Sequence, residues 1–183
     1  MSLTLSQVTD LLRTRGDTQY GMEAISQLEH ALQCADLAEK AGETPETIAA
    51  ALLHDLGHML AAEREGLVDI DTRKDDLHQF VALPFLRGLF SEAVLEPIRM
   101  HVDAKRYLCL IDPGYWAELS PASKHSLVQQ GGIFAEPEAT AFMQQPFAGE
   151  AVRLRRYDDL AKTPLKVVPS LSHFEFYLKQ ACI

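Results

Sequence analysis

Apolar residues recur at helical spacing along nearly the whole chain, and no useful stretch alternates in the period-two manner of a strand. The sequence therefore points to an all-α fold. Leu5, Val8, Leu11 and Leu12 form the first stripe, which Gly16 stops. A second helix is expected from about Gly21 to Ala41. Leu28, Ala31, Leu32, Ala35 and Ala38 line one of its faces, and Gly42 terminates it. Thr44-Pro45 reads as a cap followed by proline at the first helical position. It opens a third helix that runs through Ile48, Leu52 and Leu53 and stops near Gly57. The polar stretch Ala61–Asp75 reads as a loop. Further helices are expected over Asp76–Leu86, Glu92–Tyr107, Pro121–Gln130, Pro137–Gln144, Gly149–Leu160 and Leu171–Ala181. Gly88, the Asp112-Pro113-Gly114 turn and Gly131-Gly132 punctuate them. There is no repeat and no linker-like shift in composition, so residues 1–183 read as one domain, long enough for a core.

Charge narrows the function classes. With 26 acidic against 17 basic residues, the net charge of -9 repels phosphate polymers and anionic membranes. Nucleic-acid and membrane partners are disfavoured, while a local basic pocket for one small anion remains allowed. No apolar run approaches the ~20 residues of a membrane span. The amphipathic N-terminus lacks a secretory apolar core. Cys34, Cys109 and Cys182 are odd in number and widely spaced, which fits neither a disulfide framework nor a CxxC metal site. These features suggest a cytoplasmic protein with reduced, buried thiols.

Histidines and carboxylates fall on the apolar faces. His54 and Asp55 stand side by side in ALLHDLGH, about 100° apart on a helix, where they can straddle a metal centre. The aspartate's two oxygens are free to bridge a pair of ions. His30, His78 and His101 each share a face with apolar residues and should point inward. Asp158 lies in one stripe with Ala151, Leu154 and Ala161, whereas Asp159 lies off it. A lone histidine on such a face is more often a core residue, but four of them with two inward acids call for cations. Imidazole and carboxylate without thiolate favour iron, manganese or another first-row ion over structural zinc. On helical spacing, Tyr20, Glu23, Gln27 and His30 share a stripe, and Lys105 lies one turn beyond His101. His58 lies one turn beyond His54, and Arg155 lies three residues before Asp158, close enough to frame an anion. Blander readings also stand. Lys105 with Arg106 could be solvated charges, Arg155 could pair with Asp159, and Tyr20 could cap a helix entry. Tyr115 and Trp116 could be an aromatic wall for a quaternary ammonium or plain packing.

The order His30, His54-Asp55, His78, His101, Asp158 resembles the HD-domain superfamily in its two-metal form. The segments YGMEAISQLEHALQCA, AALLHDLGH, HVDAKRYL, LSPASKHSLVQQGG and RLRRYDDLAK are similar to its phosphonate-cleaving diiron oxygenase branch, over about residues 20–162. The resemblance implies a helical bundle with two iron ions (Fe2+/Fe3+) between helices. His30, His54, Asp55 and Asp158 would hold one ion, and His78 and His101 the other, with Asp55 bridging. It also implies that Tyr20 is a ligand displaced by substrate, that Glu23 lies near a substrate amine, and that Lys105 and Arg155 lie near a phosphonate. Ser123, Gln130 and His58 join them as substrate-pocket candidates. The expected reaction uses O2 to cleave the C–P bond of a small 1-hydroxy-2-aminoethylphosphonate or its trimethylammonio analogue. Phosphate and glycine or glycine betaine would be released. The same ligands would also suit a two-metal phosphohydrolase acting on a small phosphate ester.

Overall fold

Three capping arrangements set the frame of this computed structural model, which describes residues 2–64 and 77–183. Thr4 and Ser26 each close a reciprocal capping box, with Gln7 and Glu29 respectively. They start α1 (Leu5–Arg15) and α2 (Gln27–Lys40). Thr44 accepts from the Thr47 amide, and with Pro45 behind it starts α3 (Pro45–Leu53). After α3 the chain runs α4 (Leu56–Arg64), α5 (His78–Val81), α6 (Leu83–Leu86), α7 (Glu92–Ile111) and α8 (Tyr115–Glu118). Next come α9 (Pro121–Gln129), α10 (Glu136–Met143), α11 (Ala148–Leu160) and α12 (Leu171–Ala181). Among the described residues there is no strand, only two isolated bridges, so the all-α expectation holds.

The central element is α3. Every residue from Thr47 to Leu53 is buried, as befits a helix apolar all round. Ala49, Ala50 and Ala51 carry almost no bulk, so α2, α7, α11 and α12 all pack onto it closely. The long α7 lies chiefly against α11, and α5 against α4.

Four local expectations are corrected. The second helix begins at Gln27, not Gly21, because Gly21 takes a left-handed φ of 54° and Ser26 is the cap. Tyr20 and Glu23 therefore do not share a helical stripe with His30. The third helix breaks at His54-Asp55, and α4 then runs on through Gly57. The loop expected over Ala61–Asp75 begins inside α4, and the rest of it lies outside the described residues. The expected helix over Asp76–Leu86 divides into α5 and α6, with Leu77 left-handed at its head; its first residue is not described. Finally, α8 went unread, since its four residues are too few to show a period.

Gly57 is required by packing. A Cβ placed there would lie 2.0 Å from the carbonyl oxygen of His78 and 2.7 Å from its carbonyl carbon. Backbone cannot yield as a flexible side chain can, so Gly57→Ala must push α5 off α4. The expected loss is about 1–3 kcal/mol in urea unfolding; an unchanged midpoint would show that the contact is soft.

Candidate metal centre

Three imidazoles are aimed by backbone carbonyls. His54 Nδ1 lies 2.9 Å from the Ala51 carbonyl and His101 Nδ1 2.7 Å from that of Ile98, each three residues earlier in the chain. His30 Nδ1 lies 2.9 Å from the Ala161 carbonyl, just past α11. The Gln33 amide clamps that segment, with Nε2 donating to Thr163 O at 2.9 Å and Oε1 accepting from Thr163 N at 3.1 Å. A carbonyl only accepts, so each Nδ1 carries the hydrogen and each neutral ring presents its Nε2 lone pair inward.

Those Nε2 atoms converge in pairs. His30 and His54 meet at 3.3 Å, and His78 and His101 at 3.0 Å. Asp55 lies between the pairs. Its Oδ2 is 3.3 Å from His54 Nε2 and 3.6 Å from His30 Nε2. Its Oδ1 is 3.3 Å from His78 Nε2 and 3.7 Å from His101 Nε2. Asp158 joins the first pair, with Oδ1 3.4 Å from His30 Nε2 and Oδ2 4.0 Å from His54 Nε2. His30, His54, His78, His101, Asp55 and Asp158 are all buried, and Asp55 Oδ2 makes no hydrogen bond. Facing lone pairs beside an unpartnered buried carboxylate oxygen repel one another unless a cation lies between them. The donors are nitrogen and oxygen, grouped around the two lobes of one carboxylate. That arrangement suits two first-row metal ions.

A cationic wall adjoins this centre. Arg155 Nη1 pairs with Asp158 Oδ2 at 2.6 Å, and the guanidinium also binds Asp159. Tyr115, buried among Leu108, Leu119 and Leu127, donates its hydroxyl to Asp159 and accepts from Arg155 Nε at 3.1 Å. Tyr115 therefore packs and orients, while Trp116 is half exposed under Lys124. Lys105 is buried and donates to Ser126 Oγ at 2.8 Å; it is no surface charge. Burial and the neighbouring Arg155 pull its pKa down to about 7. Ser123 Oγ accepts from Lys162 Nζ at 3.0 Å and lies 3.5 Å from Arg155 Nη2. Gln130 caps the far end of α9, seven residues beyond Ser123.

Sequence spacing overlooked Lys162. It lies 3.9 Å from Asp158, 4.0 Å from Glu23 and 6.0 Å from the centre of the Tyr20 ring. Its place one turn after Asp158 was the available signal. Tyr20 arrives by a turn, not a helix, yet stacks on His30 at 3.9 Å with its hydroxyl 3.5 Å from Asp158 Oδ1. Glu23 Oε1 is buried without a hydrogen bond. His58 stacks on His78 at 4.0 Å, with its Nε2 3.9 Å from Asp55 Oδ1.

Comparison with known proteins matches residues 28–127 to the HD domain. A hydroxymethylphosphonate dioxygenase of Gimesia maris is 42% identical over 170 residues, covering 93% of this chain and 84% of the relative. The [1-hydroxy-2-(trimethylamino)ethyl]phosphonate dioxygenase (glycine-betaine-forming) of Leisingera caerulea is 36% identical over 160 residues, covering 87% and 81%. An uncharacterized protein of Acanthamoeba polyphaga mimivirus is 32% identical over 172 residues, covering 93% and 78%.

Protonation in the metal-free centre follows the same charges. Burial opposes a charged His54, but the Asp55 carboxylate outweighs it and lifts the imidazole to about 9. Burial wins at His30, which falls to about 4. Burial would raise Asp158, yet Arg155 and Lys162 hold it well below the usual carboxylate range. His54 thus keeps a proton through neutral pH, and a metal must displace it. Calorimetry of Mn2+ binding near neutral pH, in buffers of different ionisation heat, should show about one proton released per chain. Affinity should climb with pH and level off above about 9. Uptake without proton release would contradict this picture. The raised His54 stabilises the metal-free fold below about pH 6.5, and that contribution fades as pH rises through about 9.

Proposed function

The chain belongs to the HD domain family, and we propose that it is an O2-dependent diiron oxygenase cleaving the C–P bond of a small 1-hydroxyphosphonate. In this reading His30, His54, Asp55 and Asp158 hold one iron, and His78 and His101 hold the second, with Asp55 shared. The observation that carries it is Asp55 offering one oxygen to each imidazole pair, with three buried or half-buried cations alongside. The named activities of the relatives in Gimesia maris and Leisingera caerulea support the same chemistry.

The substrate is 1-hydroxy-2-aminoethylphosphonate or its trimethylammonio analogue. O2 becomes incorporated as carbon 1 is oxidised to a carboxylate, and the products are phosphate and glycine or glycine betaine. Two irons, when bound, would activate O2, relay to it the electrons released as carbon 1 is oxidised, and polarise the substrate's oxygens. The protein contributes position and charge. Arg155, Lys105 and Lys162 surround Ser123 and Ser126, a donor-rich wall suited to a phosphonate dianion. Gln130, at the end of the same helix α9, belongs to this wall in our reading. Tyr20 covers His30 and Asp158 and must swing aside to admit substrate. The Glu23 Oε1, which makes no hydrogen bond and has Lys162 at 4.0 Å, offers a place for the substrate's amine. His58 packs against His78 beside Asp55 and steadies the second ion's side.

Iron-loaded protein should release phosphate from these substrates only when O2 is admitted. Turnover of the amino, trimethylammonio and hydroxymethyl compounds, followed by phosphorus NMR, ranks them. Phosphate release undiminished without O2 would move the protein to the phosphohydrolases.

The lowered Lys105 gives a second expectation. Its amine is charged below about pH 7 and neutral above, so it binds the anion only on the acid side. Lys105→Met should raise KM about tenfold or more near pH 6, the worth of a charged hydrogen bond. Near pH 9 it should change KM little. Equal penalties at both pH values would show that Lys105 acts by packing alone.

A further inference from the structure

Lys162 stands where the anion wall meets the place proposed for the substrate's amine. Its Nζ donates to Ser123 Oγ at 3.0 Å on the wall and lies 4.0 Å from Glu23 Oε1. Asp158 Oδ1 is 3.9 Å away, and the centre of the Tyr20 ring is 6.0 Å away. The Lys162 side chain is 12% exposed and that of Glu23 is 20% exposed, so water screens this pair little.

The pair is electrostatic and loose. Glu23 Oε1 is buried and accepts no hydrogen bond, and 4.0 Å is too long for Lys162 to donate to it. Glu23 also lines a surface cleft with Asp17, Gln19 and Glu29, through which water reaches it. A bound substrate would shut that water out, and a desolvated carboxylate then needs a cation. An amine-bearing 1-hydroxyphosphonate brings its own. A substrate with hydrogen in place of the aminomethyl group brings none, and the charge must come from the protein. Lys162, already tethered by Ser123 within 4.0 Å of the carboxylate, is the residue that supplies it.

We propose that Lys162 is a specificity-determining residue that serves Glu23 as an internal ammonium, so that this chain also accepts 1-hydroxyphosphonates carrying no amine. The proposal rests on the oxygenase reading given above and widens its substrate class. With an amine-bearing substrate, Glu23 takes the amine and Lys162 serves the phosphonate beside Ser123. With an amine-less one, Lys162 also neutralises Glu23. Hydroxymethylphosphonate and one O2 then give formate and phosphate with release of one proton. The carbon gives up the four electrons that O2 takes, so no further reductant is needed.

The test is a ratio of two affinities, because whatever Lys162 gives the phosphonate is common to both ligands. Iron-loaded full-length protein is titrated by calorimetry, without O2, with hydroxymethylphosphonate and with 1-hydroxy-2-aminoethylphosphonate. Wild type should bind both. Lys162→Met should weaken the first by about tenfold or more beyond any loss for the second, the worth of a contact to a charged group. Lys162→Arg should restore the wild-type ratio, and Glu23→Gln should weaken the amine-bearing ligand alone. Equal losses for the two ligands in Lys162→Met would overturn the proposal. So would wild type that binds the amino compound and not hydroxymethylphosphonate, a result that needs no variant to fold. Once O2 is admitted, phosphate release from the amino compound only would overturn it as well. Release from neither, with the binding ratios as expected, would overturn the oxygenase reading and the added turnover with it, while the pairing of Lys162 with Glu23 stands.

Discussion

The structure depends on one electrostatic demand, the need of a buried carboxylate for positive charge. Asp55 lies where α3 breaks into α4, at the middle of the packed helices, and the Nε2 atoms of four imidazoles face it. Left alone, such a cluster is destabilising by several kcal/mol. The metal-free chain answers with a proton on His54, and a pair of cations answers better. Nearly everything else in the fold either brings a donor to this point or prevents water from reaching it.

The positioning is economical because most of it is local. Two of the three rings tied by Nδ1 are aimed by carbonyls one turn back in their own chain segment, so any helix ending or running there aims them. Only His30 needs a distant partner, and the Gln33 amide, three residues along the same helix, fixes that partner in place. Small residues on α3 let the surrounding helices come close enough for donors on α2, α7 and α11 to converge. Gly57 does the same for His78 on α5.

This explains what could be read in the sequence. Helices with strong stripes and clean caps were legible, and so were His30, His54, Asp55, His78, His101 and Asp158 as inward groups, because period and polarity alone reveal them. The turn at Gly21 was not, since a helical spacing of Tyr20, Glu23 and His30 fits the sequence as well as the turn that forms. Both arrangements bring Tyr20 to His30, so the two rings meet although the local structure differs from the one expected. Lys162 was missed because its role arises from tertiary contacts with Ser123 and Glu23. Nor did the overall charge of -9 hint at a cationic wall, because composition averages over faces.

The wall and the centre are better understood as one charge system than as two sites. Asp55, Asp158 and Asp159 face Arg155, Lys162 and the half-titrating Lys105, so the metal-free pocket is near neutrality. It has no strong pull on an anion, because Arg155 is already committed to Asp158 and Asp159. In the proposed reading, divalent cations at Asp55 and Asp158 would change that balance. They would take over the carboxylates, loosen the hold of those groups on Arg155 and Lys162, and leave the pocket with several excess positive charges at low local dielectric. A doubly charged phosphonate then gains contacts that a neutral molecule or monoanion cannot match. On that reading anion binding in this pocket would be conditional on metal occupancy, and Arg155, which touches both Asp158 and Asp159 and reaches toward Ser123, would be the residue through which one state is felt by the other.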